Sequence, residues 1–285
     1  MMFCKEDGFV PYLEGRRDLI PGGFALLGVP LDMTTCYHQG TGDGPRGIRL
    51  ASDNLEDYCP VSDRSLLDRP FSDVGDVDFA GLMTIEERLA RVGESVSALL
   101  DLHVRPLLMG GEHSLSAPAI RSCYAAYPDL CVIQFDCHAD LRPEYLGSVH
   151  SHASVMARVL EFLPVDRLFQ VGIRSGTREE WAFMRQQQTV CPATPGAMRR
   201  ILDRIGPRPV YITVDLDVLD SSVLPGTGTP EPGGISYSTM EALILDLAAL
   251  KIVGADVVEL APPLDPTGVS SVVAAKVLRT MLLNW

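Results

Sequence analysis

Short, nearly continuous apolar runs alternate along this chain with stretches whose apolar positions recur every three or four residues. The runs are Phe24–Val29, Val104–Met109, Leu130–Asp136, Leu168–Ile173, Val210–Asp215 and Ile252–Leu260, with a weaker one near Phe71–Val77. Such runs are the pattern of strands covered on both faces, as in a parallel sheet. Helical patterns lie between them at Pro45–Tyr58, Thr84–Leu102, Ser116–Tyr127, Ser151–Phe162, Thr177–Gln187, Pro195–Ile205, Ser238–Leu250 and Val269–Leu283. Pro45 and Pro195 suit a first helical position, and Thr84 with Glu87 predicts a capping box. Strand–helix alternation of this kind predicts an α/β fold with a parallel sheet. No linker-like or repeated segment divides the 285 residues, so one domain over 1–285 is expected.

Composition narrows the classes. With 46% hydrophobic and 21% charged residues the chain has the make-up of a soluble globular protein. No apolar run reaches 18 residues, and Met1–Arg17, with Lys5, Glu6 and Asp7, lacks the apolar core of a signal peptide. A cytoplasmic protein without a membrane partner is the expectation. A net charge of −13 argues against nucleic acid and favours a cationic substrate through steering, although solubility alone also accounts for it. The seven cysteines (Cys4, Cys36, Cys59, Cys123, Cys131, Cys137 and Cys191) form no C-x-x-C pair, which suits a reducing compartment.

Ionisable residues stand where the strands should end. Asp136, His138 and Asp140 alternate after Leu130–Phe135, Asp215 and Asp217 follow Val210–Val214, and His113 follows Val104–Met109. Residues two apart in a strand point the same way, so each group would aim its donors at one side. Cys137, between the ligands, would then point away from them. Ligands of such sheets bind beyond the carboxyl ends of the strands. Two carboxylates about 4 Å apart repel by roughly 4 kcal/mol at an effective dielectric of 20. Converging aspartates and imidazoles therefore call for cations, and two divalent metals would supply a hydrolytic site. The carboxylate–imidazole mixture suits Mn, Fe, Co, Ni or Zn.

The segments GGEHS (110–114), DCHAD (136–140), SHASVMAR (151–158), VDLDVLD (214–220) with PGTGTPEPGG (225–234), and VVELAPPLD (257–265) resemble, in order, those of the ureohydrolase family, the arginase- and agmatinase-like amidinohydrolases. The resemblance implies a three-layer α/β/α fold around a mainly eight-stranded parallel sheet, and a homotrimer or homohexamer. It implies two Mn2+ ions, or Co, Ni or Zn in their place. One would be held by His113, Asp136, Asp140 and Asp215, the other by Asp136, His138, Asp215 and Asp217. It further implies that hydroxide formed between the metals attacks a guanidinium carbon while Asp140 accepts a hydrogen bond from that nucleophile. Glu259 would bind the guanidinium and His152 would shuttle protons. Departures from the family are Glu112 where Asp is frequent, Cys137 where Ala is usual, and Ser221 where Asp-Pro is common. Cys137 so placed is an oxidation liability.

Three further histidines have simpler readings. His150 is a mouth residue, His38 a loop residue, and His103 a structural residue at a helix end. Gly226, Gly228 and the flanking prolines would stiffen a loop over the site.

Substrate choice rests on the loops. Leu141–Ser151 lacks the arginase S-G-N-x-H-G pattern, and Gly172-Ile173-Arg174-Ser175-Gly176 resembles agmatinases rather than arginases. Agmatine, cleaved to putrescine and urea, leads. Arg142 would suit the carboxylate of 4-guanidinobutyrate, or pair with Glu144. Arginine as the substrate, a metal-dependent deacetylase and a non-catalytic relative also stay open on sequence grounds.

Overall fold

The apolar runs pair into one sheet whose central strands all end at the same place. The computed structural model describes Phe3–Cys4 and residues 9–285; Lys5, Glu6 and Asp7 of the N-terminal reading lie outside them. In chain order the elements are β1 (Phe3–Cys4), β2 (Phe24–Val29), α1 (Gly44–Ser52), β3 (Tyr58–Cys59), β4 (Arg64–Ser65), β5 (Ser72–Val77), α2 (Ile85–Asp101), β6 (Arg105–Gly110), α3 (Ser116–Ala126) and β7 (Cys131–Phe135). There follow α4 (Val155–Val159), β8 (Leu168–Val171), α5 (Arg178–Gln187), β9 (Val190–Cys191), α6 (Pro195–Ile205), β10 (Pro209–Asp215), α7 (Tyr237–Asp246), β11 (Lys251–Val258) and α8 (Val269–Asn284). The sheet order is β1-β5-β2-β6-β11-β10-β7-β8-β9. Its last eight strands run parallel, and only β1 is antiparallel, against β5. Strands β3 and β4 form a separate small ladder.

Helices cover both faces, as the continuous apolar strands require. One face of the sheet packs Ile212, Val214 and Val257 against Ile48 of α1, Ile201 of α6, Leu243 of α7 and Leu278 of α8. The other packs Leu27, Leu108 and Val132 against Val92 and Leu99 of α2, Ile120 of α3 and Met156 of α4. The expected three-layer fold is thus borne out. The Thr84–Glu87 capping box forms, and a second joins Thr177 to Glu180.

Two helices are shorter than their patterns. The expected Pro45–Tyr58 helix stops at Ser52, whose hydroxyl turns back to the Arg49 carbonyl at 2.7 Å, and Asp53-Asn54 follow. The expected Ser151–Phe162 helix keeps one turn of α4, because Met156 and Ala157 donate their backbone N–H groups to the Asp140 carbonyl instead. That diversion ties α4 to the loop that carries the acidic residues.

Candidate active site

Four neighbouring strands, β6, β11, β10 and β7, end side by side, and His113, Glu259, Asp215 and Asp136 follow at or just beyond those ends. Gly110 and Gly111 let β6 finish against the next loop: a Cβ on Gly111 would lie 2.2 Å from the Leu31 carbonyl oxygen. The chain then turns through His113–Leu115, so His113 faces inward with 1% exposure.

Its ring is oriented from behind. Thr213 gives its one hydroxyl proton to Asp256 Oδ1 at 2.6 Å, and Tyr211 donates to Asp256 Oδ2 at 2.7 Å. The Thr213 oxygen can then only accept from His113 Nε2, 2.9 Å away, which places a proton on Nε2. Nδ1 is left facing carboxylate oxygens of Asp136, Asp140 and Asp215 at 3.2, 3.0 and 3.3 Å, aligned for a hydrogen bond with none of them. Such a nitrogen among anions is a ligand waiting for a cation.

The expected strand alternation does not explain the convergence. β7 ends at Phe135, the chain bends at Cys137 and Asp140 has φ +54°, so the DCHAD segment turns out of the strand, touching the sheet again only at the His138–Ser175 bridge. Asp136 accepts from the His138 backbone N–H at 2.6 Å and from Gln134 Nε2 at 2.8 Å. Asp217 lies in the turn Leu216–Val218; its N–H donates to Asp215 Oδ1 at 2.9 Å. Asp217 Oδ1 accepts from the Cys137 backbone N–H at 3.1 Å, and Oδ2 lies 2.9 Å from His138 Nδ1. The Arg174 guanidinium staples this turn by donating to the Asp217 and Glu231 carbonyls, each at 2.7 Å. Because the segment turns, Cys137 does not point away as expected: its sulfur is 3.1 Å from His138 Nδ1.

Two overlapping groups could each hold a metal ion, with donor atoms within 4.8 Å of one another: His113 with Asp136 and Asp140, and Asp136 with Cys137, His138 and Asp217. At that separation two unit charges of like sign repel by about 3.5 kcal/mol at an effective dielectric of about 20. Asp136 belongs to both groups; Asp215 belongs to neither, but touches His113 Nδ1. The protonation equilibria register the same demand for positive charge. Burial, with Asp140 and Asp217, raises the Asp136 carboxyl to about 7, and burial with Asp217 and Asp136 raises Asp215 well above the carboxylate range. Burial opposes charge on His138 and His113, yet Asp217 lifts His138 to about 10 and the three carboxylates lift His113 well above its usual value. The donor set therefore fits divalent cations, with protons taking their place when cations are withheld.

A pH dependence follows. Groups raised in the folded chain stabilise it below their unfolded pKa and lose that contribution as pH rises through the folded value. Asp136 loses its share between about 3.8 and 7, and His138 between 6.5 and about 10. Metal-stripped protein should lose Tm as pH rises from about 6 to 9, and divalent metal should restore most at the high end. A stripped protein with a level Tm over that range would contradict this electrostatic picture.

Above the acidic floor opens a cavity of about 370 Å³, lined by His113, His138, Asp140, Asp215, His152 and Arg142 among others. Asp136 and Asp217 are not on its wall. His152 begins the turn before α4, its Nδ1 3.3 Å from Glu259 Oε1. Glu259 sits behind the wall rather than on it, beyond the end of β11 with φ +66°. Its Oε1 accepts from the His113 backbone N–H at 2.7 Å, while its buried Oε2 has no hydrogen-bond partner. Backbone strain at Asp140 and Glu259 thus coincides with the chemistry. Burial opposes charge on His152, yet Cys36, Glu259 and Asp140 push its imidazolium up to about 12. Arg142 is on the wall, its guanidinium 4.5 Å from the Tyr145 ring centroid, with no ion pair to Glu144 among the described residues.

Other expectations move. His150 is not at this mouth; it lines a second cavity of about 340 Å³ between α2, α3 and α4. His38 is exposed with its ring tilted against that of Tyr37, and its carbonyl would meet a Cβ on Gly228 at 2.7 Å. The glycine loop therefore does close down beside Glu259. His103, at φ +58°, ends α2 and its carbonyl accepts from Gly22. The sequence reading missed Glu180 and Cys36, both on the cavity wall. Glu180 reads in sequence as half of a capping box, and it is one.

This arrangement has close counterparts. Residues 23–283 match the Arginase family. The chain belongs to that family. It is 37% identical over 278 residues to the agmatinase of Bacillus subtilis strain 168, covering 96% of each chain. It superposes on the agmatine ureohydrolase of Thermoplasma volcanium with a TM-score of 0.81 at 32% identity, covering 94% of this chain and 89% of that one. The proclavaminate amidino hydrolase of Streptomyces clavuligerus gives 0.88 at 28% identity, covering 96% of both. The ureohydrolase resemblance is thereby borne out. Within this arginase-family chain, Glu112 does more than fill its motif: it accepts from the Met33 and Thr34 N–H groups at 2.6 Å each and from the Thr34 hydroxyl at 2.7 Å.

Proposed function

We propose that this amidinohydrolase cleaves agmatine to putrescine and urea at a pair of divalent metal ions, manganese in the first instance. The observation that carries this reading is the cluster at the cavity: His113, oriented by Thr213 through Nε2, with its Nδ1 facing three carboxylates at 3.0–3.3 Å. His113, Asp136, Asp140 and Asp215 would hold one ion, and Asp136, His138, Asp215 and Asp217 the other. Bound there, the metals supply Lewis-acid charge and hydroxide at neutral pH.

The chain's own groups do the rest. Glu259 takes the guanidinium, using the carboxylate oxygen that has no partner and displacing its contact with His152. Asp140, on the wall and 3.0 Å from His113, accepts a hydrogen bond from the attacking nucleophile. His152, charged in its resting contact with Glu259, gives its proton to the departing amine. Once a cation occupies Glu259, the attraction that raised His152 is spent elsewhere and its proton becomes easier to release. Glu180, buried on the wall and fixed by the N–H groups of Leu141 at 3.0 Å and Thr177 at 2.6 Å, presents a fixed anion to the distal ammonium of agmatine. Arg142 on the same wall supports the second reading, 4-guanidinobutyrate, whose distal group is a carboxylate. The family resemblance supports a homotrimer or homohexamer making polyamine precursors, and the cysteines without a C-x-x-C pair suit the cytoplasm.

Urea release from manganese-loaded protein given agmatine, 4-guanidinobutyrate and arginine in parallel tests the reading. Rapid release from agmatine alone is expected; no release from any of the three, with two metals bound, would sink it. Glu180→Gln should raise KM for agmatine about tenfold or more, the loss of one charge-assisted contact, while leaving 4-guanidinobutyrate less affected. Equal losses on both substrates would assign Glu180 to the cap alone.

A further inference from the structure

Cys36 stands on the wall of the substrate cavity, half-buried, on the loop after β2. Neither the metal cluster nor the proposed hydrolysis uses it. Its loop is pinned, because Glu112, wholly buried just past the end of β6, binds Met33 and Thr34, three and two residues before Cys36. Thr34 in turn accepts from the His152 backbone N–H at 2.9 Å, which holds loop and histidine in register. His152 is 8% exposed, and its Nε2 has no aligned hydrogen-bond partner. The His152 side chain shares the cavity wall with Cys36, and it holds the thiol below its ordinary range against the opposing effect of burial. The remaining described cysteines are placed otherwise. Cys59, Cys123, Cys131 and Cys137 are buried, and burial raises the thiols of the last three. Cys191 is half-buried, but burial raises its thiol and it is not on the cavity wall.

We propose that Cys36 is a modification site for small cationic disulfides, and that the adduct closes the substrate cavity. A lowered thiol beside an imidazolium is the setting of reactive cysteines. The acidic chain favours a cationic reagent, as it favours a cationic substrate. In the exchange the Cys36 sulfur attacks one sulfur of the disulfide. A new S–S bond forms, the old one breaks, and the leaving thiolate takes up the proton that Cys36 releases, so no outside oxidant is required. The adduct sets an ammonium arm on the wall of the cavity of about 370 Å³, where it competes with a cationic guanidino compound for the carboxylates of the same wall. The site rests on geometry that stands without the proposed hydrolysis, which enters only as one readout.

The test treats manganese-loaded protein with a few equivalents of cystamine and follows the adduct by peptide mass. Cys36 should be modified first, and urea release should fall more than tenfold and return on reduction with a phosphine. Cys36→Ser should resist inactivation at least tenfold relative to its own untreated rate, and His152→Phe should slow the modification itself. Saturating agmatine should slow adduct formation at least threefold, an occlusion readout that needs no turnover. First modification at another cysteine, or, in protein that hydrolyses agmatine, a Cys36 adduct formed equally fast with agmatine present, would overturn the proposal. So would a Cys36 adduct that leaves urea release unchanged. If the untreated protein releases no urea at all, the order of modification by peptide mass and its slowing in His152→Phe still decide the site, and the hydrolytic reading alone fails.

Discussion

Asp136→Asn should abolish both metal loading and urea release. The substitution nearly preserves shape and removes one charge, so the cause of any loss is electrostatic. Asp136 is the carboxylate common to the two donor groups, and it also faces His113 Nδ1 at 3.2 Å. Replacing one oxygen with an amide removes an acceptor for either the His138 N–H or the Gln134 amide, both of which donate to it now. An amide oxygen is also a far poorer partner for a divalent cation than a carboxylate. The expected loss in turnover is about a thousandfold or more, which corresponds to roughly 4 kcal/mol at 1.36 kcal/mol per decade. Metal content per chain and urea release should fall together. Two bound metals with near-native turnover would remove Asp136 from the site.

That expectation is legible in the sequence because a strand end and an acidic motif coincide, although strand alternation alone does not produce the convergence. The strands are readable since both faces of each are covered, which forces continuous apolar runs such as Val210–Val214. Their order is not, because β10 and β11 insert between β6 and β7 only through tertiary pairing. Alternation along a strand predicts that Asp136, His138 and Asp140 converge, but a turn with a left-handed Asp140 achieves it. The same turn brings the Cys137 sulfur to His138, where alternation would send it away. Two-residue periodicity speaks only for residues inside the ladder, and the ladder stops at Phe135.

The remaining gaps have a common physical origin. Glu180, Cys36 and the Thr213–Asp256–Tyr211 relay act through contacts between segments 39 to more than 100 residues apart in the chain. No local pattern encodes such contacts. Glu180 satisfies a capping box, and Asp256 sits inside an apolar strand, so each has a sufficient local explanation that hides its place beside the site. His150 shows the converse: adjacency in sequence to His152 suggests a shared mouth, whereas the turn at Ser151 sends the two side chains into different cavities.

His152→Phe should keep both metals and lose most of kcat. His152 contributes no atom to either donor group, and its ring contacts Glu259 and Cys36 rather than the carboxylates of those groups. Phenylalanine fills similar space but offers no proton, so the departing amine would have to leave unprotonated or draw a proton from water. General acid catalysis by one positioned side chain contributes typically 10²–10⁴-fold, and a fall in kcat within that range is expected. KM should change much less and in the other direction from Glu180→Gln, because Glu259 is freed from its contact with the imidazolium and meets the guanidinium without a competitor. The split between kcat and KM therefore separates a proton donor from a residue that merely packs the wall. A variant with full metal content and undiminished kcat would show that the proton reaches the amine by another route. One that lost metal as well would make His152 part of the scaffold for the cluster instead.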